Sequence, residues 1–505
     1  MKKKYLLFSA MAVAVALSSC DMDKTPYDAL PDTEAMQTPT DFTNARVGLY
    51  SGLRSSVGGG AFYNAPEIQC DGFNAVAGFS NTYGDMYYWD FTSQTREMET
   101  VYGNYQAVIA RANYIIDGYN KCDFNAGGFT NDDMKKIAKP TKGDAFFTRA
   151  YCIFMLSQYF CDAYNPSTAN DENSGVAYRL DYAPSSSPST YPGRHTLTDT
   201  YKQVSDDLDS ADVYVSDAGE AGYSYISKDA ITALRARLAL NAQKYEDAAN
   251  YATSLINSQK YTLAASVEDM EDLWHQDGGM ETILQLACAN AQELPASTGS
   301  SYLPGQKGAV PDYIPTKTLV DLYSAKDYRK AVYFKSLQIN TNSGASGEVL
   351  ALNKYADQGA LCDKYGSSAR FTIEPKVFRI AEMYLIAAEA YLQSNNLPLA
   401  AQYLNDLERE RIEGYQDQTF ASKDELWAEL KNEREREMVA EGSRLFDLKR
   451  WHMGVKRGEP QQLNLCMLPG SSTTGLDKPA DSNRLTWPIP KHEIDVYNIK
   501  QNPGY

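Results

Sequence analysis

The sequence has little of what catalytic centres are usually built from. It contains only four histidines, and they form neither an H-E-x-x-H motif nor a paired Cys/His spacing, which argues against a zinc site. No G-x-S-x-G, P-loop or G-x-G-x-x-G segment occurs, so the common signatures of hydrolases and of nucleotide- and dinucleotide-binding proteins are absent too. We therefore predict no catalytic residue, no metal and no cofactor. One alternative is a calcium loop in CDAYNPSTANDENSG (161–175), although this segment lacks the EF-hand spacing.

Cysteine and positive charge are also scarce. Eight cysteines in 505 residues are too scattered for a disulfide framework, so we expect buried thiols with one incidental bridge at most. The 48 lysines and arginines are outnumbered by 65 aspartates and glutamates, which gives a net charge of −17 at pH 7. Such a charge repels nucleic acid and anionic lipid headgroups, which argues against nucleic acid as a partner.

The sequence has one long apolar run, at its N-terminus. Three lysines at positions 2–4 precede a run of 13 residues (5–17), which is long enough for a signal peptide and too short to span a bilayer. The run ends in Leu-Ser-Ser-Cys, which resembles the lipobox of bacterial lipoproteins, where the cysteine thiol is alkylated by diacylglycerol. We therefore predict a signal peptide over 1–19 and lipidation of Cys20, with a plain secreted protein as the alternative. The mature chain is then anchored to a membrane by lipid and does not span it.

The rest of the chain has the composition of a globular protein, with 43% hydrophobic and 22% charged residues. The polar, proline-bearing segment 20–40 predicts a tether, and 41–505 predicts one domain. The unusual feature is the aromatic composition, because the chain has 37 tyrosines and 5 tryptophans but only 17 phenylalanines. Tyrosine and tryptophan have an apolar face and a polar edge, which suits a partly wet recognition surface.

Helical patterning predicts a scaffold interrupted by long excursions. Segments 230–257 and 382–409 align without gaps at a constant offset of 152 residues, pairing Ala236 with Ala388. A second pair of alanines follows twelve positions later, which is the tetratricopeptide spacing for two closely packed antiparallel helices. The fold class is therefore mainly α, with a few short strands in the excursions. The predicted scaffold segments are 41–54, 99–161, 198–258 and 377–451, and the predicted excursions are 55–98, 162–197, 259–376 and 452–505.

A strongly charged helix is predicted in ELKNEREREMVAEGSRLFDLKRW. Glu433, Glu437 and Glu441 recur every four residues and share one helical face, where like charges repel. They persist either as a functional cluster or because nearby arginines and neighbouring helices neutralise them, and we favour a structural salt-bridge network. A surface glycosidase needs only two well-placed carboxylates, so that activity stays an alternative.

Three blocks of the sequence resemble the SusD/RagB family. The charged helix is similar to the family's ER…EL…EG…R..DL.RW pattern, from Glu433-Arg434 to Trp451. FRIAEMYLIAAEAYLQSNNLPLAAQYLNDLERERI resembles its RLAE.YL..AEA repeat, and WPIPKHEIDVYNIKQNPGY resembles its C-terminal PIP..EI…QNPGY ending. The resemblance covers essentially the whole mature chain.

This resemblance implies four tetratricopeptide-like units on a lipoprotein that faces outward from the outer membrane of Bacteroidota. It also implies a partner, a SusC-like TonB-dependent transporter over which the lipoprotein sits as a lid. Family members capture oligosaccharides or polysaccharides, and some capture peptides, without cleaving them. The expected ligand is therefore a glycan, with a RagB-like peptide-capturing protein as the alternative.

The resemblance also implies where the ligand binds. In glycan-binding members an arc of aromatic side chains with nearby polar groups comes from the excursion after the first helix and from the long middle excursion. Aromatic faces stack on the C–H faces of sugars, while sugar hydroxyls need polar partners. The chain has REMETVY where several relatives carry a tryptophan, and Trp451 and Trp487 are assigned to packing. The predicted ligand-binding residues are Asp71, Tyr83, Tyr87, Tyr88, Trp89, Tyr102, Trp274, Tyr302 and Tyr313.

Overall fold

A computed structural model describes the chain from residue 35 onward with short gaps. The predicted signal peptide, Cys20 and residues 21–34 of the predicted tether lie outside the described residues, as does Cys362. Within the described residues, no helix is both long enough and apolar enough to cross a membrane. The described residues are 35–185, 187–295, 299–303, 310–341, 344–355, 361, 371–467 and 476–505.

Helices make up most of this structure, and nine of the seventeen described α-helices begin at a capping side chain. Before the first helix, the Thr38 hydroxyl accepts a hydrogen bond from the Asp41 amide and the Asp41 carboxylate accepts one from the Thr38 amide, while Pro39 fills the first helical turn. The α-helices are α1 (Pro39–Gly58), α2 (Gly60–Ile68), α3 (Gly84–Tyr87), α4 (Arg96–Lys121), α5 (Asn131–Asp133), α6 (Lys139–Phe160), α7 (Leu197–Tyr214), α8 (Lys228–Asn241), α9 (Tyr245–Asn257), α10 (Val267–His275), α11 (Lys317–Asp321), α12 (Tyr328–Tyr333), α13 (Ile380–Gln393), α14 (Leu397–Arg411), α15 (Lys423–Met438), α16 (Arg444–Arg450) and α17 (Lys491–Tyr497).

The described strands are few and short, and they form three two-stranded antiparallel sheets. They are β1 (Phe73–Ala75), β2 (Thr282–Gln285), β3 (Tyr313–Pro315), β4 (Phe334–Asn340), β5 (Ser346–Leu352) and β6 (Lys376–Arg379). β1 pairs with β3, β2 with β6, and β4 with β5, so two of the three sheets join segments that are far apart in the sequence. Short 3₁₀ and π turns cover Pro188–Thr190, Ala291–Glu293, Gly299–Ser301, Leu463–Leu465, Asn483–Leu485 and Met134–Ala138.

The predicted repeat is a pair of matching helical hairpins, α8–α9 and α13–α14. Each first helix ends at a residue in the left-handed region, Gln243 with φ 58° and Asn395 with φ 60°. The turn hydrogen bonds also match, because the amide of Lys244 donates to Ala239 and the amide of Asn396 donates to Tyr391. This 6→1 bond is the Schellman closure of a helix end. The four alanines of the predicted spacing are fully buried or nearly so, and α9 packs against α13. The tetratricopeptide-like scaffold is confirmed.

The described hydrophobic core is divided between the helices and the excursions. The larger cluster lies among the scaffold helices, where α6 is buried along nearly its whole length between α4 and α7. A second cluster lies under the excursions and is rich in aromatic rings, including Tyr87, Trp274, Tyr302 and Tyr313. The excursions are therefore packed structures with a core of their own.

Glu433 and Glu437 of α15, with Glu441 in the turn that follows it, form a buried salt-bridge network, as predicted. The prediction of one shared helical face is wrong for Glu441, because α15 ends at Met438 and Ala440 has φ +60°. Glu437 lies 2.6 Å from Arg379, 2.9 Å from Arg411 and 3.0 Å from Arg329, measured between oxygen and nitrogen atoms. Glu433 lies 2.5 Å from Arg329, and Glu441 lies 2.5 Å from Arg379. All these side chains are at most 7% exposed, so the network ties α15 to α12, α14 and β6 inside the protein.

The other sequence expectations concern single residues. The six described cysteines are free, and five of them are buried. Trp487 is fully buried and donates to Gln69, while Trp451 packs edge-to-face on Trp427, which fits their predicted packing roles. In the alternative calcium loop, the Asn165 side chain accepts a hydrogen bond from the Ser167 amide and so stabilises a local turn.

Candidate ligand-binding site

The structure brings the two predicted binding regions together through the β1–β3 sheet. Ala75 in the first excursion pairs with Tyr313 in the middle excursion. The chain then passes through the loop 76–83 and the short helix α3, so that both excursions contribute to one surface.

Four aromatic rings meet at this surface. Tyr313 lies 5.5 Å from Phe79 and 5.6 Å from Tyr87, measured between ring centroids. Tyr88 lies 5.2 Å from Tyr87 in an edge-to-face arrangement and 6.3 Å from Phe79. Tyr87 and Tyr313 are buried, whereas Phe79 and Tyr88 are half-buried. The outer pair, together with half-buried Tyr83, forms what we call the aromatic rim.

Hydrogen bonds fix the loop that carries the rim. The Asp312 carboxylate accepts from the Ser80 amide at 2.7 Å and from the Ser80 hydroxyl at 2.6 Å. The Tyr313 hydroxyl donates to the Thr82 carbonyl at 2.6 Å. Ser80, Asn81 and Thr82 are exposed beside the rim. The loop therefore presents polar groups next to half-buried rings in a defined geometry.

The backbone of the rim is strained. Asn81, Tyr83 and Trp89 all have φ near +60°, in the left-handed region that glycine favours. Gly84 starts α3, where an added Cβ atom would lie 2.0 Å from the Asn81 side chain and would displace it. Strained residues of this kind cluster at ligand-binding sites, because the surrounding structure must hold them.

The rim phenols are neutral hydrogen-bonding groups. Burial, and then the nearby Glu97 carboxylate, raises the pKa of Tyr83 to about 12. Burial, and then neighbouring Tyr87, raises the pKa of Tyr88. Both hydroxyls therefore stay protonated at physiological pH and can donate as well as accept hydrogen bonds.

The structure places the nine predicted residues in three different settings. Tyr83 and Tyr88 belong to the rim, and Asp71 makes a 2.7 Å ion pair with Arg444 that joins the first excursion to α16. The other six side chains are buried, with at most 3% exposure, so their rings lie in the core and not at the surface. They are Tyr87, Trp89, Tyr102, Trp274, Tyr302 and Tyr313.

The buried residues do not form one arc. Trp89 and Tyr102 belong to the scaffold core, whereas Trp274 and Tyr302 belong to the excursion core. Lys354 lies 4.0 Å from the centroid of Trp274, and Tyr302 packs 4.8 Å from Phe73. Ligand contact thus stays a prediction for Tyr83 and Tyr88, supported from beneath by Tyr87 and Tyr313.

Sequence reasoning missed Phe79 as a rim residue. Its signal was its position in an excursion, between Gly78 and exposed Ser80, where an aromatic side chain has few neighbours in sequence to cover it. Phenylalanine lacks the polar edge by which tyrosine and tryptophan were selected as recognition residues.

The site has the chemistry of binding. Aromatic faces, hydroxyls, an amide and the Asp312 carboxylate lie at it, and such groups pack against a ligand and hydrogen-bond to it. Within the described part of the chain, no three His, Cys, Asp or Glu side chains lie close enough to hold a metal ion.

Comparisons with known proteins agree with this fold. The SusD family model matches residues 329–505, and a second family model, described as starch-binding and associating with the outer membrane, matches residues 22–240. These features define a class of protein with a tetratricopeptide-like helical scaffold and long packed excursions. Together these two family models match residues 22–240 and 329–505, and the chain belongs to the SusD/RagB family.

Solved structures are similar over nearly the whole chain. A SusD superfamily protein from Bacteroides thetaiotaomicron is 24% identical with a TM-score of 0.75, and the match covers 92% of this chain and 100% of that one. A SusD superfamily protein from Bacteroides vulgatus is 22% identical with a TM-score of 0.73, covering 93% and 99%. A SusD-like carbohydrate binding protein, also from Bacteroides vulgatus, is 18% identical with a TM-score of 0.73, covering 92% and 97%. The search of curated proteins found no match.

Proposed function

We propose that this protein is a non-catalytic, lipid-anchored glycan-binding protein of the outer membrane. It captures oligosaccharides at the cell surface and delivers them to a SusC-like TonB-dependent transporter. The observation that carries the proposal is the aromatic rim, where Phe79 and Tyr88 lie half-buried beside an exposed polar loop. Support also comes from the family model described as starch-binding and from the carbohydrate-binding protein of the same fold.

The rim suits a neutral sugar ring. The C–H faces of a pyranose are slightly positive and pack on the negative face of an aromatic ring. The Ser80 hydroxyl donates to Asp312, whereas the exposed Asn81 amide lies in the same loop and is available to sugar hydroxyls. The net charge of −17 repels a polyanion at long range but does not repel a neutral glycan.

Retention at the membrane is proposed to depend on Cys20. One acyl chain holds a protein only marginally, whereas several chains add about 0.8 kcal/mol for each buried CH₂ and give stable anchoring. The end of the predicted tether 20–40 belongs to the folded domain, because Met36 is buried and Pro39 begins α1, so the proposed tether is residues 20–34. It is proposed to join the anchor to a binding domain that lies over a transporter in the same membrane.

Isothermal titration calorimetry against neutral oligosaccharides and short peptides tests the binding surface. Tyr88→Ala and Phe79→Ala are each expected to weaken binding of the preferred oligosaccharide by about 1–3 kcal/mol. Tyr225→Ala is the matched control, because Tyr225 is a 47% exposed tyrosine outside the rim and its loss is expected to leave affinity unchanged.

Three results would count against the proposal. Unchanged affinity in both rim variants would remove the rim as the site, and binding of peptides alone would replace the glycan. Release of shortened sugars from a bound oligosaccharide, followed by chromatography, would replace non-catalytic capture with hydrolysis.

A further inference from the structure

A cavity lies on the scaffold, separate from the aromatic rim. It encloses about 290 Å³ between α4, the loop 177–192 and the C-terminal helix α17. None of the rim residues lines it. We call it the tyrosine groove, because its walls carry Tyr178, Tyr182, Tyr191 and Tyr497.

The loop that forms one wall is fixed to α4 by hydrogen bonds. The Gln106 side chain donates to the Ala177 carbonyl at 2.8 Å, and Asn113 donates to the Arg179 carbonyl at 2.9 Å. The Tyr182 amide donates to the Asp117 carboxylate at 2.7 Å. The three α4 residues lie at spacings of seven and four, so they share one face of the helix. The groove is therefore preorganised and not a gap under a loose loop.

A buried ion pair reinforces this attachment from below. Arg149 is 4% exposed, pairs with Asp207 at 2.6 Å and donates to the Asn113 side chain at 2.8 Å. It also donates to the Leu180 carbonyl at 3.1 Å. The loop conformation is thus specified by the scaffold core.

The opposite wall joins the loop to the C-terminal helix through aromatic contact. The rings of Tyr191 and Tyr497 lie 4.4 Å apart, and the Tyr191 hydroxyl donates to the Ser185 carbonyl at 2.9 Å. Tyr182 keeps 36% of its surface exposed. The tyrosine rings of the groove therefore have surface available to a ligand. The backbone groups of the groove wall already make hydrogen bonds within the protein.

The Arg179 side chain lies at this groove, and its guanidinium group is only partly hydrogen-bonded. Its Nε and Nη2 atoms donate to Asp181 at 3.1 Å and 2.9 Å, which neutralises its charge. Its Nη1 atom is shielded from solvent and has no hydrogen-bond partner among the residues that the structure describes. The guanidinium carbon lies 5.5 Å from the Tyr191 ring centroid, so Arg179 positions Asp181, whose side chain is 61% exposed and can accept a hydrogen bond from a ligand hydroxyl.

The size and charge of the groove select the kind of ligand. Its volume is near the lower end of the range for small-molecule pockets, roughly 300–1,000 Å³, which fits one or two rings. Arg179 is already paired with Asp181, and the remaining carboxyl in the lining is Glu493, so no net positive charge is present to attract an anion. A neutral, ring-shaped, hydroxylated ligand meets these requirements.

We propose that the tyrosine groove is a second saccharide site that takes a neutral mono- or disaccharide. The sugar packs against the exposed ring surface of Tyr182 beside the Tyr191–Tyr497 pair, and one of its hydroxyls donates a hydrogen bond to the Asp181 carboxylate. The location rests on the groove itself, whereas the sugar class rests on the proposed glycan-binding function.

Saturation-transfer difference NMR and calorimetry on the mature chain test this site, with glucose, galactose, mannose, xylose, maltose, cellobiose and lactose as probes. Tyr191→Ala and Arg179→Gln are expected to weaken binding of the bound probes by about tenfold or more. Tyr225→Ala, the matched tyrosine control, is expected to bind like wild type, and Tyr88→Ala is expected to leave this small-saccharide site intact. Arg179→Lys, which keeps the charge and loses the planar fork, serves as a second variant if Arg179→Gln does not fold.

The outcomes separate the two proposals. Oligosaccharide binding that depends on Tyr88 with no binding of any probe would overturn the groove proposal and leave the proposed function standing. Probe binding that the groove variants do not change would also overturn it. If only short proline- or aromatic-containing peptides bind, and Tyr191→Ala abolishes that binding, the ligand of the groove is a peptide and not a saccharide. If no glycan binds at either site, the proposed function is overturned as well.

Discussion

Glu437 shows how a carboxylate stays ionised with no exposure to solvent. Burial alone would raise its pKa, but the guanidinium groups of Arg411, Arg379 and Arg329 outweigh burial and hold the pKa well below the usual range. Each oxygen of the carboxylate also accepts hydrogen bonds from these arginines. The like charges of α15 are therefore tolerated because arginines from α12, α14 and β6 lie between them.

Glu437→Gln is expected to lower the free energy of unfolding by about 3–5 kcal/mol, because it leaves buried guanidinium groups short of a counter-charge. Urea titration followed by circular dichroism measures this loss. The folded-state pKa is lowered, so the stabilisation is present above the unfolded pKa and is lost as the pH falls through the folded pKa. The gap between wild type and variant is thus expected to close only in strong acid. Glu413→Gln, at an exposed position, is the control, and an equal effect of both changes would contradict the network.

Tyr302 offers a matched pair of substitutions in the excursion core. Its ring is fully buried against Phe73, whereas its hydroxyl has no hydrogen-bond partner among the described side chains and backbone. Tyr302→Ala is expected to cost about 3–5 kcal/mol of stability through the cavity it creates. Tyr302→Phe removes only an unpaired hydroxyl and is expected to be neutral or slightly stabilising. Thermal unfolding of the two variants side by side measures the difference, and a large loss in Tyr302→Phe would reveal a bond that the hydroxyl makes.

The contrast between Tyr302 and Tyr88 explains why the site was only partly predictable. Both lie in excursions rich in Gly, Ser and Tyr, and nothing local in the sequence distinguishes a buried ring from a half-buried one. The difference arises from the pairing of β1 with β3, which covers Tyr313 and Tyr87 and leaves Tyr88 and Phe79 at the edge. That pairing joins residues more than 230 positions apart, and hydrophobic periodicity, which is a local signal, cannot predict it.

At the scale of elements, the scaffold was predictable because its signals are local. The hairpins α8–α9 and α13–α14 repeat their buried alanines, their left-handed turn residues and their closing hydrogen bonds at one offset. Each signal lies within about 30 residues, so pattern alone identifies it. The salt-bridge network was anticipated from α15, but its partners on β6 and α12 come from distant segments that no spacing rule specifies.

Ala388→Leu tests the close approach of helices in the second hairpin. Ala388 is fully buried in α13, so a larger side chain must push neighbouring helices apart. The expected loss is about 1–3 kcal/mol, measured by chemical denaturation. Ala428→Leu is the matched control, because Ala428 is exposed within α15 and both residues are good helix formers. Equal stability of the two variants would mean that the alanine spacing does not control helix packing.

At the scale of the whole molecule, the described surface is divided into parts with different roles. The scaffold helices and their charge network supply rigidity, the excursions supply the aromatic rim, and the loop 177–192 with α17 supplies the tyrosine groove. Two weak sugar sites on one rigid body bind a long glycan more tightly than either does alone, provided that the chain reaches both. If the proposed anchor keeps this body near a transporter, it raises the local concentration of captured ligand in the same way.

Cys20→Ala tests that anchor. If the acylated cysteine holds the protein at the membrane, its loss is expected to release the protein from the outer-membrane fraction. Wild type is expected to stay with that fraction, to incorporate a labelled fatty acid and to be reached by protease added to intact cells. Cys122→Ala is the matched cysteine control, because Cys122 is a free, half-buried thiol in the folded domain, and this variant is expected to behave like wild type. Membrane retention of Cys20→Ala in cells that lack the SusC-like transporter would show that something other than the acylated cysteine holds the protein, and the lipoprotein assignment would fail.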